Sequence, residues 1–475
     1  MTHWNTKTRV DFHPDKPVDL EFDAPEMSTD GGAVLLRQVD ERRGLCETLS
    51  KLLPDERDPS KIEHTRLEQL RQRVFQIAMG WEDQNDADRL REDPVYKMVA
   101  DRQPDDEALA SQPTLSLFEN SVGMRTNKHV LETLELSWID GLDDDREVVV
   151  LDVDASGYEG FGQQELLSFC GFHGGHIYHP LFVMDAQSSE VVSAVLRPGD
   201  VGDARGVVGI LRRIIDRLKV IRPDIEVVVR GDAGFARPKL YQMLEHRNRM
   251  WGGVGYVIGI SKNSAFEDKL DEALHEARSR FERSGNKQQT FQWFRHQAQS
   301  WDRARSIVGK AEVGPQGDNP RFVITSLDEF PARMIYEQGY CPRGDAENIV
   351  KSLKSHVQSD RLSLQSFEAN FFRLLQHVIA HRLLMGLKQW CGREAKQCRT
   401  MRRKVDMSDD EEDEAQEVIE QLDRLARAQL DTVRLLLLKV AATVNQAVRR
   451  LHVEFPRSFP MAPAYGALAS RLDGY

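Results

Sequence analysis

Cysteine is scarce and scattered. The five thiols of this 475-residue chain, Cys46, Cys170, Cys341, Cys391 and Cys398, are odd in number and form no C-x-x-C pair. That excludes a disulfide framework and a zinc ribbon, and free thiols suit a reducing cytosol. Long apolar runs are also lacking. Leu435 to Val444 is the longest candidate and Lys439 breaks it, well short of the roughly 18 residues of a membrane span, so no membrane partner is expected. Met1 to Val10 are polar and carry no apolar h-region of a signal peptide. Positive charge is in deficit, 64 Lys and Arg against 76 Asp and Glu for a net of -12. This argues against a protein that coats nucleic acid through its overall charge, but it leaves room for a local basic groove, because net charge averages over faces. What is present is apolar material, 40% of the chain, enough for a large core without disulfide or metal staples. At roughly 100–200 residues per domain the length suggests two to four domains.

Residues 1–145 read as a helical region. In 64–81 the residues Leu67, Leu70, Val74, Ile77 and Trp81 recur at steps of three or four, one apolar helix face, with Arg66, Arg71 and Arg73 expected on the other. Asp83, Asn85, Asp86 and Asp88 resemble a calcium loop only loosely, since the turn glycine and final glutamate are missing; a helix-capping turn is the better reading. The pattern changes at Glu147. EVVVLDVDAS is an apolar strand ending in aspartates, and further strands are expected at 176–186, 191–199, 225–232 and 254–261. Amphipathic helices are expected at 203–219 and after Asp232. The order β-β-β-α-β-α-β places the strand after the first helix parallel to the first strand, through a right-handed crossover. Residues 262–330, polar and carrying Trp293 and Trp301, read as an insertion outside the central sheet. Helix resumes in 331–390. The region 391–475 is expected to be helical and contains parts of two opposed charge blocks. Residues 382–404 carry eight basic residues and one acidic, whereas 406–420 carry nine acidic and none basic. The acidic run reads as a solvated tether or as a shield for the basic block.

Three acidic positions stand out. Asp152 and Asp154 are two apart on a strand and so share a face. Asp232 ends the strand IEVVVRGD, and ligands of such sheets bind beyond the carboxyl ends of parallel strands. In YCPRGDAENIVKSLK, residues 340–354, Arg343, Glu347 and Lys354 fall on one helix face. Each has a bland alternative: Asp232 as a helix cap, and Arg343–Glu347 as a surface ion pair worth under about 1 kcal/mol. Together they would make a cluster that repels itself unless hard divalent cations such as Mg²⁺ or Mn²⁺ neutralise it. Two such ions about 4 Å apart serve phosphoryl transfer.

These residues also resemble a known family. Tyr340, Arg343, Glu347 and Lys354 match the Y-(2)-R-(3)-E-(6)-K signature of bacterial insertion-sequence transposases of the DDE class. The segments 27–45, 70–94 and 109–120 are similar to one subgroup of them. The resemblance implies an α/β fold with a ribonuclease-H-like mixed-sheet core flanked by helices, split between 146–261 and 331–390 by the β-rich insertion. It implies Asp154, Asp232 and Glu347 as the catalytic, metal-binding triad, with Asp152 as an alternative or supporting ligand. Ser156 stands where the family has threonine two residues after its first aspartate. It further implies Tyr340, Arg343 and Lys354 as DNA-phosphate contacts and an aromatic of the insertion, Trp293 or Trp301, stacked on a flipped base; otherwise the two tryptophans pack in the insertion. Two Mg²⁺ ions per site, with Mn²⁺ able to substitute, are the implied cofactors. The implied partners are terminal inverted repeats and target DNA, bound by a homodimer, in the bacterial cytoplasm and on the nucleoid. The implied activity is cut-and-paste transposition. The competing readings are another two-metal DNA nuclease on the same core and a domesticated, non-catalytic DNA-binding protein. CGFHGGHIYHP, with Cys170, His173, His176 and His179 at steps of three, offers zinc-ligand types but no second pair at a partner spacing, and reads first as a polar turn.

Overall fold

The computed structural model describes residues 7–21, 23–404 and 408–474. The start of the acidic block, Asp406 and Met407, and the polar residues 1–6 lie outside the described residues. The organising element is a nine-stranded mixed sheet. Its strands are β1 (Val148–Ala155), β2 (Leu181–Asp185), β3 (Val191–Val195), β4 (Glu226–Gly231), β5 (Val254–Ile260), β6 (Gln288–His296), β7 (Arg305–Gly314) and β8 (Arg321–Thr325). They lie in the order β6-β7-β8-β5-β4-β1-β2-β3, and Gly317–Asp318 pairs beside β7. The three central strands, β1, β4 and β5, are parallel. β2 runs antiparallel to β1, and β8 antiparallel to β5. Strands buried on both faces read as continuous apolar runs, and β1, β4 and β5 are VVVLDVDA, EVVVRG and VGYVIGI.

Helices cover the sheet. Numbering those used below in chain order, α1 is Ala33–Arg43, α2 Arg66–Met79, α3 Gln112–Asn120, α4 Met124–Asp140, α5 Val207–Ile221, α6 Pro238–Trp251, α7 Ser264–Ser284, α8 Gly344–His356, α9 Phe367–Arg402, α10 Asp409–Arg427 and α11 Ala462–Asp473. The crossovers β3-α5-β4 and β4-α6-β5 bury Ile210, Leu211, Ile214, Leu218, Leu240 and Leu244 against the sheet. A second core joins α1–α4 to α8–α11, so the N-terminal and C-terminal helices share one apolar interior. The 36-residue α9 is its axis, buried almost without interruption from Phe367 to Leu387. The segment STDGG closes this core. Gly31 and Gly32 donate to Val440 and Leu438 carbonyls at 2.9 and 3.0 Å, and a Cβ on Gly32 would stand 2.3 Å from Leu438 Cα. Asp30 accepts from Trp81, Tyr96 and Lys439 at 2.6–2.7 Å.

Several sequence expectations change. The stretch 262–330 is not separate from the central sheet: β8 pairs with β5, and β6 and β7 continue the same sheet. It also opens with the amphipathic α7, which its polar composition disguised. The strand expected at 176–186 is broken at Pro180, which has no N–H for a ladder. Gly175–Tyr178 pairs instead with Tyr158–Glu159 and Ser168–Cys170 in a small sheet. α5 begins at Val207, later than expected, because Gly206 at φ 88° turns the chain into the helix. Arg71 and Arg73 do not face solvent. Both are buried, Arg71 paired with Asp40 and Asp101 and Arg73 with Glu119, which also pairs Arg373 of α9. The 390/391 boundary falls inside α9, and the C-terminal region includes a hairpin, Ala442–Ala447 with Arg450–Glu454.

The described part of the acidic block is helix, not tether. α10 has a Ser408/Glu411 capping box and buries Ile419, Leu422 and Leu425. It pairs with the basic end of α9: Arg399 with Asp423, and Arg402 with Glu412 and Gln416. Arg382 is not part of a basic surface; it is buried and donates to the carbonyls of Leu134, Val191 and Val192. Glu412→Gln with Asp423→Asn should therefore tighten non-specific duplex binding several-fold by freeing Arg399 and Arg402, without opening the apolar stripe. Filter binding across a salt series checks this; unchanged affinity would leave α10 a packing element only.

Candidate functional site at the carboxyl edge of the parallel strands

Register brings the first two acids together. β1 and β4 pair from Val148–Glu226 to Val153–Gly231, so Asp154 and Asp232, each one residue further, leave the same edge side by side. Asp154 is half-buried and accepts from Ala155 N–H at 2.9 Å. Asp232 turns its carboxylate onto Gly234 N–H at 2.8 Å, capping the short turn Ala233–Phe235. Burial pushes the Asp154 carboxyl up to about 6; the negative charges of Asp232 and Glu347 add to the rise, against Ala155 N–H and Arg343. Asp232 and Glu347 therefore each lie within electrostatic reach of Asp154. Among the described residues, however, no three carboxylate, imidazole or thiol groups are already drawn around one cation-sized point.

Glu347 sits in the first turn of α8, which packs through Ala346, Ile349, Val350 and Leu353. Its side chain is 63% exposed and takes Arg343 Nη2 at 2.8 Å. Arg343, mostly buried, lies 6.0 Å over the Tyr340 ring. Tyr340 in turn lies on β5 at Gly259, where a Cβ would stand 2.4 Å from its hydroxyl. Lys354 is two turns further along α8. It donates to the Gly157 carbonyl at 2.8 Å and lies 4.9 Å over the Tyr158 ring, pinning the turn after Asp154. Burial lowers its pKa, against the nearby Asp360, Glu159 and Asp154.

Asp152 is elsewhere. It is fully buried and grips Arg230, its register partner, through both oxygens at 2.6 and 2.7 Å. Arg230 also reaches the Gly339 and Pro342 carbonyls at 3.3 and 3.5 Å, so the pair braces the Tyr340–Arg343 segment against the sheet. It is placed as a brace for the site and not as an open ligand. Trp301 is buried, edge-on to Tyr241 and His296 with Arg305 over its ring, so its face is closed to a base. Trp293 is half-buried against the cluster of Val257, Val308, Val323 and Tyr336. In CGFHGGHIYHP, Phe172 is 93% exposed and His173 lies against Gly157, and of Cys170, His173, His176 and His179 only His179 is buried. Asp83 caps the turn that follows it, through Asn85 N–H. Residues the sequence did not flag for the site are Asp203, which approaches the Asp232 turn at Gly234, and Arg197, which holds the loop of Asp203 through the Gly202, Asp203 and Arg205 carbonyls; the alternating glycines and aspartates of RPGDVGDARG were the local signal.

The fold is a mixed-sheet α/β protein in which Asp154 and Asp232 leave the carboxyl ends of two neighbouring parallel strands. The chain belongs to the family described as Transposase DDE domain group 1, whose model matches residues 10–405. It is thus a DDE-class transposase, of a family of enzymes that transfer phosphoryl groups of nucleic acid and in general use divalent metal ions. Among solved structures it is similar to a piggyBac transposase in a synaptic complex with hairpin DNA, at 10% identity and a TM-score of 0.41, over 93% of this chain and 84% of that one. No curated protein matches it. No helix among the described residues is long and apolar enough to cross a membrane.

Proposed function

We propose that this transposase moves DNA by cut-and-paste, with Asp154, Asp232 and Glu347 as its catalytic, metal-binding triad on a ribonuclease-H-like core. The strand order β5-β4-β1-β2-β3, with three parallel central strands and β2 running antiparallel to both β1 and β3, supports that core. One observation carries the site: the Asp154 carboxyl is held near 6 by burial, with Asp232 and Glu347 as neighbouring charges. Crowded carboxylates of this kind fit hard cations that relieve their repulsion. Bound Mg²⁺ or Mn²⁺, two ions per site, would supply activation of the attacking oxygen and stabilisation of the leaving one. The chain's own residues do the rest. Asp154 and Asp232 offer oxygens from a rigid sheet edge, and Glu347 brings one from α8. Arg343, released from Glu347, presents a fork suited to phosphate, with Tyr340 supporting it. Lys354 holds the Ser156–Gly157 turn, so that Asp154 keeps its aim, and adds positive charge beside the strand being cut.

End recognition is assigned to exposed cations of residues 1–145 and non-specific contact to the end of α9. A homodimer would bring two inverted repeats and the target together. The test is single-turnover processing of an end duplex in Mg²⁺, followed by strand transfer. Transfer products would exclude a simple nuclease, and absence of metal-dependent nicking would favour a domesticated binding protein.

Arg343→Ala and Lys354→Ala separate site from surface. If Arg343 only pairs Glu347, its loss costs under about 1 kcal/mol and leaves cleavage normal. If it holds a phosphate, misplacement by about 1 Å costs on the order of 100-fold in rate. Both variants are expected to melt near wild type, bind ends and lose about that factor in cleavage; wild-type rates in both would reduce the Tyr-Arg-Glu-Lys match to a feature of the helix surface.

A further inference from the structure

Four large apolar side chains stand in water within one short stretch. Phe161, Leu166, Phe169 and Phe172 are 81, 52, 60 and 93% exposed. All lie in or between the strands Tyr158–Glu159, Ser168–Cys170 and Gly175–Tyr178 of the small sheet. Exposed apolar residues scattered singly are ordinary, but a group of them marks a contact surface. Leu166 is even held outward against its backbone preference. Its φ is 58°, in the left-handed region that bulky residues seldom adopt. Its neighbours fix it there. Buried Gln164 donates to the Leu362 and Leu364 carbonyls at 2.7 Å each. Glu165 N–H donates to the Gln365 carbonyl at 3.0 Å, and the Tyr178 hydroxyl donates to the Glu165 carbonyl at 2.7 Å. Leu167 packs on Gly160.

The small sheet borders the edge that carries Asp154. Its first strand follows Asp154 through Ser156 and Gly157. The Gly157 carbonyl takes Lys354 of α8. The His173 ring lies on the same glycine, where a Cβ would stand 2.7 Å from its Nε2. Phe172 is edge-on to His173, with ring centroids 5.1 Å apart. The most exposed ring of the group is thus joined, through one imidazole, to the turn that leaves Asp154. The bonds of Lys354, Gln164 and Glu165 tie this support to α8 and to residues 362–365.

We propose that the small sheet is a DNA-contacting surface and that Phe172 is its wedge, entering between two base pairs close to the cut. This rests on the reading of the Asp154 edge as the place of cutting. Duplex DNA keeps its apolar surface between its stacked bases. Phenylalanine is one of the side chains that enter such steps, partly unstacking them and kinking the duplex, and a kinked duplex follows more of the protein surface. A second protein chain fits less well. Gln163, His173 and His176 are exposed among the apolar residues, so the patch lacks the continuous apolar centre of a stable interface. Phe161, Leu166 and Phe169 supply further apolar contact to the same DNA.

The experiment omits metal, so that no strand is cut. Full-length protein is mixed in EDTA with an element-end duplex carrying 2-aminopurine, placed in turn at each base pair around the cut. Expected is a several-fold rise in fluorescence at one step, lost in Phe172→Ala and largely kept in Phe172→Leu. Phe172→Ala should also bind the duplex about fivefold or more weakly, the loss that follows removal of one base-stacking ring. Both variants should melt like wild type, because the side chain is exposed. Leu166→Gly should melt at or above wild type, since glycine adopts positive φ freely, yet bind the duplex less tightly. No rise at any position in a wild type that cleaves in Mg²⁺, or the same rise in Phe172→Ala, overturns the wedge. So does a dimer of the DNA-free protein, seen by sedimentation velocity, that Phe172→Ala dissociates. Asp154→Asn should keep the rise and lose cleavage. The rise together with normal cleavage in Asp154→Asn would instead sink the triad and leave the wedge standing.

Discussion

Asp154→Asn is expected to fold, to bind element ends, and to lose strand cleavage by on the order of 100- to 1000-fold or more, the loss that follows removal of one electrostatic stabiliser from a preorganised site. The same variant should melt higher than wild type at neutral pH. The reason is the sign of the linkage. The folded-state carboxyl is raised to about 6, above its unfolded value near 4, so between those values the native state binds more protons than the unfolded one. Stability then falls as pH rises through that window, and the cost is fully present above it. An uncharged amide escapes the cost. The gap in melting temperature between variant and wild type should therefore open from pH 4 to pH 6.5 and stay open beyond, and Mg²⁺ should narrow it by neutralising the wild-type site. Equal melting at all pH values would mean that burial, with Asp232 and Glu347 as lesser contributors, does not raise the Asp154 carboxyl in the folded protein.

Asp152→Ala, two residues away, should do the opposite. Removing one partner of a buried ion pair leaves the other charge uncompensated, at roughly 3–5 kcal/mol. The stranded charge is Arg230, which is closed off from water and holds the Gly339 and Pro342 carbonyls. Chemical denaturation should register the loss, and cleavage should fall because the Tyr340–Arg343 segment loses its brace. Asp152→Ala combined with Arg230→Met should recover much of the stability, since a buried pair replaced by apolar side chains is often neutral. If Asp152→Ala instead melts like wild type and loses cleavage completely, the ligand role passes from Asp154 to Asp152.

The two aspartates show where sequence reading succeeds and where it stops. Period-two alternation correctly put them on one face of a strand. It could not say that the neighbouring strand would set Arg230 opposite Asp152 and Asp232 opposite the other, because register is a long-range fact. The same limit explains Arg71 and Arg73. Helical periodicity placed them on a polar face, but Asp40, Asp101 and Glu119, brought from 31, 30 and 46 residues away, let that face be buried. The acidic block was misread because its charge hid the stripe of Ile419, Leu422 and Leu425, and its partner, the basic end of α9, lies just before it in the chain. Trp301 illustrates the reverse case: an aromatic in a polar stretch looks available until α6 and β7 close over it.

By itself the sequence determined the alternation of strands and helices from Glu147 to Ser261, the helical flanks, and the fixed spacing of Tyr340, Arg343, Glu347 and Lys354, of which Glu347 and Lys354 share one helix. Those are local properties, set by the periods of strand and helix and by where apolar side chains recur. Only the tertiary structure decided which acids meet at the sheet edge, that β6, β7 and β8 extend the central sheet, and that the first and last helices share one core. It alone placed Asp203 beside the Asp232 turn. Those outcomes depend on strand order and on charge partners distant in the chain, and no pattern within a single element encodes them.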